Sequence, residues 1–288
     1  SFPTRRSSDL HGYSDHHCFL PLYVFCGDEL LTAYLRPANI DAARHARAVL
    51  KLLVDPLRAA WHGVRITIRA DSGFCRRRLM RWCDSHGIGY VLGLARNPAV
   101  QRLAADWTDR AERQFERTGE PQRTFGSFAY AAGSRDRPRR VIVKAEHTAR
   151  GANPRFVVAN VPGDPQELYD AVYCRRGEAE NRIKEQQLDL FAGRTSCHRF
   201  AANQFRLLLS SAAYVLVQAL RREALAGTEL AEAQAGTIRL KLLKVAARVV
   251  GSTRRLIFHL ASSYPYRELF RRVHARVTGV TVAASGSG

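Results

Sequence analysis

The sequence predicts an α/β fold, and three observations predict it. Residues 11–36 read as a β-hairpin. From Asn39 to Leu94 helix-like and strand-like periodicities then alternate. Apolar residues make up 46% of the chain, as in an ordinary globular protein. The 288 residues are enough for one large domain or two modest ones, with a sizeable core.

The elements follow in order. Residues 19–25 are strand-like, Gly27-Asp28 makes the turn, and residues 30–35 return. Pro21 has no N–H to give a ladder, which suits an edge or entry position. Asn39-Ile40-Asp41 predicts a helix start with Asn39 or Asp41 as cap. Ala46, Val49, Leu50, Leu53 and Leu57 then recur at helical spacing up to Trp61. Residues 64–70 are a β-run ending in Asp71, and Ser72-Gly73 turns the chain. Residues 75–86 form a basic amphipathic helix that Gly87 caps. Residues 88–94 form the next buried strand.

The texture changes at Asn97-Pro98. Residues 101–117 predict a charged helix. Residues 125–130, 140–145 and 155–160 are short strands between Gly-, Pro- and Arg-rich turns. They predict an antiparallel, basic insertion that returns to the main sheet near Phe156. A helix carrying Glu180 follows Pro165. Residues 199–222 form a long, mostly apolar helix and residues 237–250 another. Residues 254–260 and 264–277 make a small helical or mixed tail, and residues 281–288 are expected to be disordered. The expected organisation is 11–96, a β-rich insertion over 97–154, 155–225, and a helical tail over 226–288. No internal repeat is present.

Residues 1–10 stand apart. Ser1-Phe2-Pro3-Thr4-Arg5-Arg6-Ser7-Ser8-Asp9-Leu10 has no hydrophobic periodicity. It matches, residue for residue, the translation of a common short-read sequencing adapter. The expectation is an artefact in front of a truncated protein, so Asp9 is not counted among candidate acids.

Composition narrows the function. The formal net charge is +19 at pH 7, which favours a polyanionic partner, nucleic acid first. A high-GC genome, which writes Arg and Ala freely, is the competing explanation. The six cysteines show no C-x-x-C spacing, against a zinc ribbon or a thioredoxin site. With no secretory leader apparent, they are expected to be reduced thiols of a cytoplasmic protein. The apolar run 207–220 falls short of the ~20 residues a membrane span needs. For His16-His17-Cys18 a structural or surface role reads better than a metal site, because adjacent side chains on a strand point to opposite faces.

Two carboxylates stand out. Asp71 ends a central-type strand, in Arg69-Ala70-Asp71-Ser72-Gly73-Phe74, where α/β sheets place ligands and where a small turn leaves room for substrate. A plain cap or turn Asp reads equally well. Glu180 lies in Tyr173-Cys174-Arg175-Arg176-Gly177-Glu178-Ala179-Glu180-Asn181-Arg182-Ile183-Lys184. On a helix Tyr173, Arg176, Glu180, Lys184 and Gln187 share one side. Arg176–Glu180–Lys184 also reads as a salt-bridge ladder, contributing only about 0.2–0.5 kcal/mol per pair.

Tyr173, Arg176 and Glu180 at this spacing resemble the signature around the last acid of bacterial insertion-sequence DDE transposases. The block from Arg69 to Phe74 is similar to the one around their second acid. The likeness continues in Leu22-Tyr23-Val24-Phe25-Cys26-Gly27, in Leu35-Arg36-Pro37-Ala38-Asn39-Ile40-Asp41, and in residues 188–196. It covers nearly the whole chain. Where the family has a Lys seven residues after the Glu, this chain has Gln187, with Lys184 nearer.

The resemblance implies a ribonuclease-H-like mixed sheet flanked by helices, with a β-rich insertion and a helical C-terminal tail. It implies metal-dependent cleavage and strand transfer at the ends of a mobile DNA element. Mg²⁺ is the expected ion, with Mn²⁺ as substitute, and Asp71 and Glu180 are the expected ligands. Tyr173 and Arg176 would position end phosphates or the Glu, and Lys184, Arg76 and Arg77 would touch DNA backbone. Partners would be transposon ends, target DNA and a second copy in a synaptic dimer at the nucleoid, with no membrane. In that fold the first acid lies on a strand before the hairpin. Asp15 is inside the hairpin block, so the first acid is expected to be missing and the chain inactive as it stands. The alternatives are a non-catalytic DNA-binding remnant and a metal-dependent nuclease. Substituting the acids discriminates the first, and a substrate panel the second.

Overall fold

The structure, a computed structural model, describes residues 19–133 and 137–279. Residues 1–10, Asp15, the His16-His17-Cys18 run and residues 281–288 lie outside the described residues. The chain divides into two compact units. One is Ile40–Glu180; the other joins Ser1–Asn39 to Asn181–Gly288.

The Ile40–Glu180 unit is built on a mixed six-stranded sheet. Its strands are β3 (Thr67–Ala70), β4 (Gly89–Leu94), β5 (Gln122–Tyr130), β6 (Arg139–Thr148), β7 (Gly151–Ala152) and β8 (Arg155–Ala159). The order is β3-β4-β8-β6-β5, with β7 added to β6. β3 and β4 are parallel, joined through helix α2 (Arg77–Ser85), and every other pair is antiparallel. The strands after residue 121 therefore extend the β3–β4 sheet.

Side-chain alternation gives this sheet two buried faces. Tyr90 and Leu92 of β4, Val141 and Val143 of β6, and Phe156 and Val158 of β8 point one way. They pack with Val54 of α1 (Ala46–Ala60), with Leu79, Met80, Trp82 and Cys83 of α2, and with Val100 and Ala111 of helices α3 (Pro98–Leu103) and α4 (Ala105–Thr118). Val91, Ile142, Val157 and Ala159 point the other way. Leu168 and Tyr169 cover them, in a π-helical turn (Leu168–Tyr173) that continues the one-turn helix α5 (Pro165–Glu167). Helix α6 (Arg176–Asp189) follows.

The second unit begins with the hairpin β1 (Leu22–Cys26) and β2 (Glu29–Tyr34), turning at Gly27-Asp28. These strands pair only with each other. They dock on helix α7 (Phe200–Leu220): Gln204 Oε1 accepts from Leu35 N at 2.7 Å, and Tyr214 Oη donates to Asp28 O at 3.1 Å. A second core gathers Val217, Ala224 and Leu225 with Ile238 of α8 (Ala235–Ile238) and with Leu269 and Val273 of α9 (Arg267–Thr278). Phe200–Leu225 is long and apolar enough to cross a membrane by length and composition alone. One stripe of it, including Asn203, Leu207, Ser210 and Tyr214, is buried in this unit.

Several expectations are corrected. The first helix begins at Ala46 rather than near Asn39. Asp41 instead accepts from Ala43 N at 2.8 Å and pairs with Arg76, which commits its carboxylate to a turn. The helix expected over 101–117 is two helices that meet at Ala104, the first capped by Asn97. The C-terminal part is not all helical. The helix expected over 237–250 ends in a π-helical turn at Leu243, and β9 (Ala247–Gly251) pairs with β10 (Leu256–Leu260). Val249, Val250, Ile257 and Phe258 are β-branched or aromatic, and that preference wins over the Ala- and Leu-rich start of the segment.

Candidate active site

Asp71 follows the last residue of β3 in extended backbone, φ −73° and ψ −177°. Its Oδ1 accepts from Gly73 N at 2.8 Å, which closes the short 3₁₀ turn Ser72–Phe74. A Cβ on Gly73 would lie 3.0 Å from that Oδ1 and 3.1 Å from Ala42 Cβ, so the turn accepts nothing larger than glycine without movement. Arg76 fixes the turn from the far side. Its Nη2 and Nε donate to Asp41 Oδ2 at 2.7 and 3.0 Å, and its Nη1 reaches Ser72 O at 3.4 Å. The guanidinium expected on DNA is therefore engaged with Asp41. Arg77, the first residue of α2, is exposed.

Glu180 is reached through two residues. The Arg176 guanidinium sits 5.6 Å from the centroid of the Tyr173 ring. Arg176 Nη1 donates to Glu180 Oε1 at 2.6 Å, with the two side chains 31% and 54% exposed. Tyr173 in turn meets the Asp71 turn. A Cβ built on Gly93 would lie 2.6 Å from Tyr173 Oη, 2.9 Å from Ser72 N and 3.2 Å from the Asp71 carbonyl carbon. The phenol and the Asp71–Ser72 peptide thus crowd one point over β4. Burial pushes the Tyr173 phenol up from its ordinary value; the Arg176 guanidinium pulls it down and the Asp71 carboxylate adds to the rise.

Tyr173 thus borders the Asp71–Ser72 peptide at Gly93 and lies against Arg176, which pairs with Glu180, all inside one unit. Lys184 and Gln187 lie further along α6, exposed, in the other unit. The expected single helical side is corrected at its start. α6 begins at Arg176, and Tyr173 ends the π-helical turn before it. There the Val172 carbonyl accepts from Arg69 Nη1 at 3.0 Å.

Asp71 and Glu180 offer hard oxygen donors of the kind Mg²⁺ or Mn²⁺ takes. Asp71 Oδ1 holds one N–H, and no donor sits on its Oδ2 among the described residues. No group of three His, Cys, Asp or Glu side chains that could hold a metal occurs among the described residues. Two carboxylates would leave most of a Mg²⁺ shell to water and substrate phosphate.

Arg69 and Gly93 were not singled out from the sequence. A signal existed for each. Arg69 is a charged residue within a strand, and a glycine inside a buried strand marks close approach of another group.

No curated protein matches the chain. Among family profiles, that of the transposase DDE domain group 1 matches residues 2–281. A match of that extent shows the family: this chain belongs to the DDE transposases of group 1.

Proposed function

We propose that the chain supplies the catalytic core for DNA strand cleavage and transfer at the ends of an insertion sequence, with Asp71 and Glu180 as ligands of Mg²⁺. The observation that carries this reading is the place of Tyr173, which borders the Asp71–Ser72 peptide at Gly93 and lies against the Arg176 that pairs with Glu180. A divalent ion held there would activate the attacking oxygen and stabilise the leaving one. In the step itself, a water or hydroxyl oxygen bonds to phosphorus as the opposite P–O bond breaks. The attacking oxygen loses its proton to solvent and the leaving oxygen gains one.

The residues divide the remaining work. Arg176 holds Glu180 and presents a planar guanidinium suited to a bidentate phosphate contact. Tyr173 carries Arg176 on its ring face. Lys184 and Arg77 contribute positive charge for DNA backbone, and Arg76 shapes the Asp71 turn through Asp41. The Ile40–Glu180 sheet would be the larger part of a ribonuclease-H-like core, with residues 97–154 as its insertion, and the working form a synaptic dimer. A third carboxylate would come from outside the described residues.

The test is to supply the protein with Mg²⁺ and DNA carrying the element ends. Cleaved and joined ends should form. Asp71→Ala and Glu180→Ala should each abolish them. Unchanged products in both variants would refute the reading.

A further inference from the structure

We infer that Gly93 and Arg69 are positioning residues: they seat the Leu168–Tyr173 turn on the Asp71 turn, and so set the spacing between the two metal-binding carboxylates. The inference rests on the proposed function, and it assigns work to two residues that touch no reacting atom.

Sheet register puts both residues in place. Arg69 of β3 is the partner of Val91 on β4, and Val91 faces the side covered by Leu168 and Tyr169. Gly93, two residues beyond Val91, presents the same face. The side chain that would cover that face is missing at Gly93. In its space stand the Tyr173 phenol and the peptide after Asp71, 2.6 and 2.9 Å from where a Cβ would be. A glycine inside a buried strand costs about 0.5–1 kcal/mol relative to alanine. Gly93 does not have the positive φ that would demand glycine for conformation. Space is the reason, and the space is filled by Tyr173 and by the backbone of Asp71-Ser72.

Arg69 holds the other side of the same contact. Its Nη1 donates to Val172 O at 3.0 Å, one residue before Tyr173. Cys174 N bonds Tyr169 O at 2.9 Å in the wide register of a π-helix. Such turns are rare and concentrate at functional sites. The wide turn sets where Tyr173 stands, Tyr173 carries Arg176, and Arg176 carries Glu180. A shift of the turn on the sheet therefore moves Glu180 with respect to Asp71.

A matched control exists on the same strand. A Cβ on Gly89 would lie 2.7 Å from both Thr67 Oγ1 and Val161 Cγ1, at the end of β4 away from Asp71. Gly89→Ala therefore strains the sheet without touching the Asp71 turn.

The experiment is a Mn²⁺ titration of the full chain followed by electron paramagnetic resonance, with a melting curve for each variant. Mn²⁺ serves as the paramagnetic substitute for Mg²⁺. Gly93→Ala should raise the Mn²⁺ Kd about tenfold or more, the range seen when residues supporting a metal ligand are lost. Gly89→Ala should lower Tm and leave Kd within about twofold, because it moves neither ligand. Arg69→Met keeps the strand and introduces no clash, so it reports even if Gly93→Ala fails to fold; it should weaken Mn²⁺, and Arg69→Lys should restore part of the loss. Equal Kd shifts in Gly93→Ala and Gly89→Ala, or wild-type Kd in Gly93→Ala or in Arg69→Met, overturn the inference. If Asp71→Ala and Glu180→Ala abolish Mn²⁺ binding in that same experiment, the metal reading stands and only the positioning role has failed. If neither alters Mn²⁺ binding, both fall.

Discussion

Glu180→Gln separates a catalytic acid from a surface salt bridge. Its charged partner among the described residues, Arg176, sits at 2.6 Å, with side chains 31% and 54% exposed. A pair of that exposure at i, i+4 contributes about 0.2–0.5 kcal/mol. If that were the whole role, the substitution would change stability by that amount and any rate by about twofold. Loss of a metal ligand is a different scale: ~2.7 kcal/mol of transition-state stabilisation is about a hundredfold. The assay is strand cleavage of element-end DNA in Mg²⁺, alongside urea unfolding of the same proteins. The expected result is a cleavage rate down about a hundredfold or more with unfolding free energy within about 0.5 kcal/mol of wild type. Arg176→Met removes the ion pair and also the contact over Tyr173, so its stability loss should be larger, about 1 kcal/mol. A cleavage rate only twofold below wild type in Glu180→Gln would refute the reasoning, because the ladder alone would then account for Glu180.

Other outcomes follow from other parts of the molecule. DNA affinity should fall steeply with salt, and Lys184→Ala or Arg77→Ala should each reduce the log–log slope by about 1; a flat dependence would refute the basic surface as a footprint. Asp84 accepts from Arg139 at 2.7 Å and from Asn160 at 3.2 Å, and the Arg139 side chain is 6% exposed. Asp84→Ala removes that cation's carboxylate and leaves it the Tyr90 hydroxyl at 2.6 Å; it should cost about 3–5 kcal/mol in urea unfolding, and a loss below about 1 kcal/mol would refute the buried pair. Burial pushes the Tyr23 and Tyr169 phenols from 10.0 up to about 12. Above pH 10 the unfolded chain gives up protons that the folded one keeps. Stability should therefore hold up to about pH 10 and fall between 10 and 12, and Tyr169→Phe should flatten part of that fall. Burial likewise pushes the Cys83 thiol up to about 12, so in native protein a thiol reagent should label exposed Cys26 well before Cys83.

Much of this was legible because it is written locally. The run from Gly89 to Leu94 is apolar and bounded by turns, and it is a central buried strand. Asn97-Pro98 announces a capped helix, and Asn97 Oδ1 accepts from Ala99 N and Val100 N. Asp71 was legible as the end of a strand and Glu180 as part of a helix. Long-range partners were not. Asp41 reads as a helix cap until Arg76, 35 residues on, engages its carboxylate. Arg69 reads as an ordinary strand residue until Val172, 103 residues on, offers a carbonyl. The C-terminal hairpin was missed because Thr237 to Leu243 is helical in fact, and the β-branched run after it was read as its continuation.

What could not be read locally is also what identifies the site. A sequence that specifies one fold follows the local rules nearly everywhere, and departures are expected where function requires them. Three departures occur in the Ile40–Glu180 unit at one place. β4 gives up a side chain at Gly93 in the middle of a buried face. β3 places the charged Arg69 on that same face beside Val91. The helical segment crossing above them widens to a π turn and then breaks before α6 begins. Each departure alone is a modest loss of stability with no evident return. Together they leave room for the Tyr173 phenol, satisfy the Val172 carbonyl and fix the start of the helix that carries Glu180. Removing any one leaves the other two unexplained. On the proposed reading, that interdependence ties these three features to the spacing of Asp71 and Glu180 rather than to the packing of the sheet.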